Sequence, residues 1–120
     1  MLYKYKNDYE KIAMGLLSFI PDLKEISHLK AEFKWYCEDE NRVLFLWKND
    51  HGDFVGILGV EVSEEILMVR HIAVSPGNRQ EGISFQMLDA LVQLYPERKV
   101  MGSMETASLI TKWEQHHAEI

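Results

Sequence analysis

Apolar residues recur along this chain with two periods, and the exchange of one period for the other marks out its elements. Leu2 to Tyr5 reads as a short first strand. Tyr9, Ile12, Ala13, Leu16, Leu17 and Ile20 then repeat at helical spacing, with Asn7 or Asp8 as N-cap and Pro21 as the stop. Gly15 inside that helix costs about 1 kcal/mol against alanine; it either lets the helix approach a neighbour closely or is simply tolerated. Asp22 offers the cap of a second helix carrying Leu23, Ile26, Leu29, Phe33 and Tyr36 or Cys37, ended by the run Glu38-Asp39-Glu40-Asn41. Arg42 to Lys48 and Phe54 to Val62 read as strands around Asn49-Asp50-His51-Gly52-Asp53, which is strong hairpin-turn chemistry. Ser63-Glu64-Glu65 turns the chain into a further strand, Ile66 to Val74, which completes an antiparallel meander.

A third helix presents Ile83, Met87, Leu88, Leu91 and Tyr95 on its apolar face and stops at Pro96. Lys99 to Ser103 is a fifth strand, reached through a helix and so parallel to the fourth. A last helix from about Glu105 to His117 carries Ala107, Ile110 and Trp113. The order β-α-α-β-β-β-α-β-α predicts an α/β fold: one mixed sheet, antiparallel through strands two to four and parallel at strand five, with helices on both faces.

Length and composition narrow the function. The 120 residues fit one domain, 1–120, with 47% apolar and 27% charged residues, an ordinary globular balance. A net charge of −6 argues against nucleic acid as the main partner, since a phosphate backbone wants a basic face. No apolar run is long enough to cross a bilayer, and Met1-Leu2-Tyr3-Lys4-Tyr5-Lys6 lacks the apolar core of a secretory signal. With Cys37 as the sole cysteine there is no disulfide framework or multi-thiolate metal site. A cytoplasmic location is the default expectation, and Cys37 is expected to be a buried thiol. His116-His117, His28 and His51 lack metal-ligand spacing, so no metal is expected. Trp35-Tyr36 and Trp47 read as core and helix-face aromatics.

The segment Glu65 to Leu91 carries the chemistry. A buried strand delivers the chain through Ser75-Pro76-Gly77-Asn78-Arg79-Gln80-Glu81-Gly82-Ile83-Ser84 into a helix start. The first N–H groups of a helix lack intrahelical acceptors and carry partial positive charge, so this junction suits a phosphate or pyrophosphate.

The element order, with Arg79-Gln80-Glu81-Gly82-Ile83-Ser84 between strand four and helix three, resembles the GCN5-related N-acetyltransferase superfamily. Its signature there is Gln or Arg, two residues, Gly, one residue, then Gly or Ala. Ile72-Ala73-Val74-Ser75-Pro76 resembles the family's strand end. Glu10 to Phe19, Phe45-Leu46-Trp47-Lys48 and Val69-Arg70-His71-Ile72 look like a narrower group, small acetyltransferase-like proteins of Gram-positive riboflavin operons. That likeness implies a connection to flavin metabolism.

The resemblance implies acetyl-CoA as co-substrate and an amine as acceptor. Backbone groups of Ile72, Ala73 and Val74 would hold the pantetheine arm, and those of Arg79, Gln80, Glu81, Gly82, Ile83 and Ser84 the pyrophosphate. Gly82 either lets the backbone approach the phosphates or serves the turn. Two positions depart from the pattern: Ser84 replaces Gly or Ala, and Glu81 stands where a basic or neutral residue is usual. A carboxylate about 6 Å from a phosphate charge costs about 0.7 kcal/mol in bulk water, so Glu81 is expected to turn outward.

The family's usual base positions on strand four fall on Arg70 and Met68, and neither is a base. Arg70 would bind an anionic group of the acceptor or pair with a carboxylate. Glu61 is the best remaining carboxylate for catalysis, acting through water, or else a solvated strand end. His71 could titrate near neutrality, but by strand alternation it faces away from Arg70 unless a bulge resets the register, and it reads first as a core or supporting histidine. The family's acid, a tyrosine early in the last helix, has no counterpart; Thr111 falls nearest. The resemblance also implies two more strands after that helix, while this chain stops three residues after His117. Strand five is therefore expected to present an open edge, covered by a second copy or by the last helix. The expected function is N-acyl transfer from acetyl-CoA to an amine; the alternative is a CoA-binding sensor without turnover.

Overall fold

The computed structural model describes residues 1–79 and 81–118, so Gln80 of the expected phosphate loop lies outside the described residues. Nine longer elements follow the expected order: β1 (Leu2–Lys4), α1 (Glu10–Leu17), α2 (Ile26–Glu38), β2 (Arg42–Lys48), β3 (Phe54–Val62), β4 (Ile66–Val74), α3 (Ile83–Leu94), β5 (Lys99–Gly102) and α4 (Ala107–Ala118). The five strands lie side by side in chain order, antiparallel from β1 to β4 and parallel between β4 and β5.

Two apolar clusters sandwich the sheet. On one face Ile83, Met87, Leu88 and Leu91 of α3, with Ile110 and Trp113 of α4, pack on Phe45, Leu58, Val60, Leu67 and Val69. On the other, Ala13, Leu16 and Leu17 of α1 and Leu29, Phe33 and Tyr36 of α2 pack on Leu44, Leu46 and Ile57. Helical spacing at period 3.6 and strand alternation at period 2 thus converge on one sheet with two covered faces. No helix of the described residues is long and apolar enough to cross a membrane.

Local chemistry corrects several helix starts. Neither Asn7 nor Asp8 caps α1; they begin a short 3-10 turn, Asn7–Tyr9, and the α-helix starts at Glu10 without a side-chain cap. Asp22 likewise sits in a 3-10 turn, Pro21–Leu23, and α2 starts at Ile26. The last helix begins at Ala107, because Ser103 to Thr106 form the turn that seats it. Ile12 and Ile26 are exposed rather than core. Cys37 is exposed, correcting the expectation of a buried thiol: Tyr36, its neighbour, takes the inward position. Gly15 faces open space, so no neighbour approaches it closely.

Candidate active site

Half-way along its length β4 loses one of its two neighbours. Ile66 to Val69 pair with Lys99 to Gly102 of β5. There the two strands part. The Ser103 N–H donates to the Val69 carbonyl at 3.2 Å, the Thr106 hydroxyl donates to the same oxygen at 2.7 Å, and the chain turns into α4. A Cβ on Gly102 would lie 2.8 Å from the Ala107 Cα, so glycine is what lets α4 begin directly against the strand end. Arg70 to Val74 therefore keep β3 on one side and line a cleft of about 570 Å³. The remaining walls are Phe19 to Asp22, between α1 and α2, and Glu105, Thr106 and Leu109.

The register of β3 against β4 slips at this point. Gly59 lies opposite His71 and Val60 opposite Val69, leaving Arg70 as an extra residue. Such a bulge re-aims side chains. Here it turns Arg70 and His71 toward the α2 side together, as the contacts of both show. The Arg70 Nη1 donates to Glu61 Oε1 at 3.2 Å, and the same oxygen accepts Arg42 Nη2 at 2.9 Å. Arg42 is buried; its other nitrogen reaches Glu32 at 3.2 Å and its guanidinium lies 3.6 Å from the Trp35 ring centroid. Glu32–Arg42–Glu61–Arg70 is thus a charge chain running from α2 to the cleft. Arg70 pairs with a carboxylate and still lines the cleft, so both of its expected roles coexist. Glu61 lies outside the cleft, in an adjoining hollow that also borders Arg70.

His71 Nδ1 is 2.5 Å from the hydroxyl of Tyr36. Gly59 makes the space for that hydroxyl, because a Cβ there would collide with the end of the tyrosine side chain. Burial pushes the Tyr36 phenol well above its ordinary value. Burial also holds the His71 imidazole below its ordinary 6.5, with Arg70 and Arg42 adding to the effect and Glu32 and Glu105 opposing it. Glu105 stands at the cleft with its carboxyl held down by hydrogen bonds from its own N–H and from Ser103.

At the far end of β4 the loop meets the helix. Ser75 donates to Asn78 Oδ1 at 2.8 Å, and Asn78 Nδ2 donates to Glu81 Oε2 at 3.2 Å. Glu81 is exposed and borders a hollow with His51 and Gln86, outside the lining of the cleft. Arg79 Nε donates to the Val74 carbonyl at 3.2 Å. Gly82 occupies the N-cap of α3 at φ 75°, a left-handed conformation that disfavours any residue with a Cβ. No side chain among the described residues caps this helix, which leaves its first N–H groups without a side-chain acceptor there. A second hollow of about 270 Å³, lined by Gly82, Ile83 and Ser84, shares Val74, Arg79 and Leu109 with the cleft and joins it to the helix start. Ile72, Ala73, Val74, Arg79 and Ser84 are therefore brought together along one groove. Thr111 is exposed on α4 and is not part of its lining.

The strand, loop and glycine-started helix lie where the resemblance places them, and a family model covers the same stretch of chain. The model for the acetyltransferase (GNAT) family matches residues 7–118. The chain belongs to that family. A relative from Bacillus methanolicus, an uncharacterized N-acetyltransferase in the lysA 3′ region, is 42% identical over 118 residues, 98% of each chain. Among solved structures, an aminoglycoside N-acetyltransferase in complex with CoA superposes with a TM-score of 0.73 at 16% identity, over 97% of this chain and 84% of the other. Glucosamine-6-phosphate N-acetyltransferase from Arabidopsis thaliana gives 0.65 at 13% identity, over 95% and 89%. At such identities these structures establish the acetyltransferase fold.

Sequence reading missed Tyr36 and Glu105. Tyr36 was one of several helix-face aromatics, and its partner is 35 residues away. Gly59 inside a strand was the available signal, since glycine there marks a close approach by another group. Periodicity places Glu105 inside the last helix, whereas that helix starts two residues later.

Proposed function

We propose that this GNAT-family protein transfers the acetyl group of acetyl-CoA to an amine. One observation carries the reading: the half of β4 released by β5 runs, in one groove, into the uncapped, glycine-started α3. Free backbone groups of Ile72, Ala73 and Val74 would pair with the amide-bearing pantetheine arm as an added strand would. Arg79 and the backbone from Gln80 to Ser84 would receive the pyrophosphate, with Gly82, Ile83 and Ser84 supplying the helix start. The apolar wall of Phe19 and Ile20 suits the acyl end, and the carboxylates of Asp22 and Glu105 attract an amine.

Arg70 would orient an anionic group of the acceptor. Glu61 is proposed to act through Arg70: two guanidiniums share one of its carboxylate oxygens and keep it occupied. The reading carries with it a cytoplasmic setting, where acyl-CoA is available, and a homodimer through the outer edge of β5, which has β4 as its only sheet neighbour among the described residues. A monomer in sedimentation velocity contradicts the dimer. The link to flavin metabolism gains no support from the relatives or the cleft.

Thiol release from acetyl-CoA, followed with a panel of primary amines and aminoglycosides, tests the activity. Amine-dependent release above the buffer rate supports it. Binding of acetyl-CoA without release by any amine would favour a sensor, and no binding at millimolar thioester would remove CoA from the account.

A further inference from the structure

We propose that the acceptor at this site is a small amino acid, whose carboxylate Arg70 and the Nε2–H of His71 hold and whose amine lies against Glu105 and Asp22. This assignment rests on the acetyl-transfer reading for the fate of the amine; it adds the class of molecule that carries it.

The tautomer of His71 follows from its partner. The Tyr36 hydroxyl lies 2.5 Å from Nδ1 and has no other partner among the described residues. Burial keeps that phenol protonated, and the Nδ1 lone pair is the acceptor for its proton. The hydroxyl therefore donates to Nδ1, and the ring's own proton sits on Nε2. Nε2 has no hydrogen bond inside the fold, while no buried side-chain nitrogen or oxygen among the described residues lacks a partner. It is therefore open to solvent, and the cavity that His71 lines is the cleft. Tyr36 makes a ring that can accept or donate into a fixed donor.

Arg70 stands beside it, brought to the same wall by the bulge. Its ion pair with Glu61 runs through Nη1 at 3.2 Å, and with the side chain 35% exposed the guanidinium keeps N–H groups for a ligand. A guanidinium next to a neutral N–H donor is an oxyanion site. The opposite polarity faces it. Glu105, where the chain turns from β5 toward α4, acts electrostatically on both Arg70 and His71 yet forms an ion pair with neither. Hydrogen bonds from its own N–H and from Ser103 hold its carboxyl ionised, and Asp22 adds a second carboxylate to the lining.

Donors on one wall and carboxylates on another complement a molecule that bears an oxyanion and an ammonium a few bonds apart. A plain amine satisfies only the acidic wall. One guanidinium, already shared with Glu61, suits a monoanionic carboxylate better than a phosphate dianion. Phe19, Ile20 and Pro21 complete this end of the cleft, and their apolar surface receives a hydrocarbon side chain better than a polar one. The step balances simply. The neutral amine attacks the thioester carbonyl, the C–N bond forms and the C–S bond breaks. One amine hydrogen stays in the amide and the other leaves on sulfur, giving an N-acetyl amino acid and CoA.

Thiol release from acetyl-CoA, with amino acids each paired against its own amide, tests the class of acceptor. An amide's amine is less basic, so more of it is neutral at a given pH, and nucleophilicity alone favours the amide. The opposite is expected: leucine should lead both leucinamide and isopentylamine by at least about 30-fold in kcat/KM. The acid-to-amide ratio should fall at least about tenfold in Arg70→Gln and about fivefold in His71→Leu. His71→Gln, which returns an N–H donor, should recover part of it. General damage to the fold lowers both acceptors together and leaves that ratio where it was. Tyr36→Phe should raise the leucine KM more than that of acetyl-CoA.

The ring nitrogen shifts of His71 in the wild type, assigned by their loss in His71→Gln, need no turnover. A dominant Nε2–H form is expected at about pH 8, and its shift should move when leucine is added to the CoA complex. A dominant Nδ1–H form overturns the proposal. So does a panel in which no amino acid leads its amide, or one in which aminoethyl phosphate leads them all, while the acetyl-transfer reading stands in both cases. Release with no amine of any kind overturns that reading and this assignment with it.

Discussion

The two halves of β4 share a strand and differ in almost everything else. Leu67 and Val69, in the first half, are fully buried and hydrogen-bonded to strands on both sides. Arg70 to Ala73, in the second half, are only half-buried, charged or polar at two positions, and paired on one side. A backbone edge left open inside a protein carries unsatisfied donors and acceptors unless water or a ligand takes them. The first half therefore contributes stability, and the second is the proposed binding surface. The boundary between them is set by three features at one level of the sheet: the bulge at Arg70, the departure of β5 at Gly102, and the Thr106 hydroxyl on the Val69 carbonyl.

Breaking each side in turn should give different phenotypes. The largest loss of stability is expected from Arg42→Met, which leaves Glu32 and Glu61 without their shared buried cation. Both carboxylates are partly exposed and Glu61 keeps its pair with Arg70, so about 3 kcal/mol is expected in urea unfolding. Gly102→Val attacks the paired half, because the added atoms meet Ala107 backbone. About 2–3 kcal/mol is expected there, together with loss of α4 from its seat. Gly82→Val has open space around its Cβ, so its folding cost is only the left-handed backbone, about 1–2 kcal/mol. Acetyl-CoA affinity by calorimetry should nevertheless fall at least about tenfold, a loss of about 1.4 kcal/mol. That separation of binding from folding is the sharpest mark of the second half.

The pH dependence of stability should report the same region. His71 is held below its ordinary 6.5 by burial, so the unfolded chain binds a proton before the folded one does. Stability from this group is complete above 6.5 and is lost as pH falls through the folded value. His71→Asn should flatten that part of a Tm-against-pH curve. The smallest effect, about 0.3 kcal/mol, is expected from Lys34→Ala, which removes an exposed i,i+4 pair with Glu38 far from either half of β4.

The architecture could be read from periodicity because each element buries a face wide enough to leave a pattern. Met87, Leu88 and Leu91 of α3, and Leu16 and Leu17 of α1, are such residues. Gly82 was also readable, since strand, loop and helix start lie next to one another in sequence. The inner part of the site was not. Whether Arg70 and His71 share a face depends on a register slip against β3, and alternation predicts the opposite in its absence. The Tyr36–His71 contact and the Glu32–Arg42–Glu61–Arg70 chain join residues from three strands and a helix, through geometry that no local spacing encodes. Helix caps failed for a simpler reason: Asp8 and Asp22 are competent caps, but short 3-10 turns took those positions first.

The most direct test is amide hydrogen exchange along β4 with and without acetyl-CoA. The account predicts added protection at Arg70 to Val74 and in the first turn of α3, with Ile66 to Val69 already protected and unchanged. Protection confined to other surfaces, or none at saturating thioester, would contradict it.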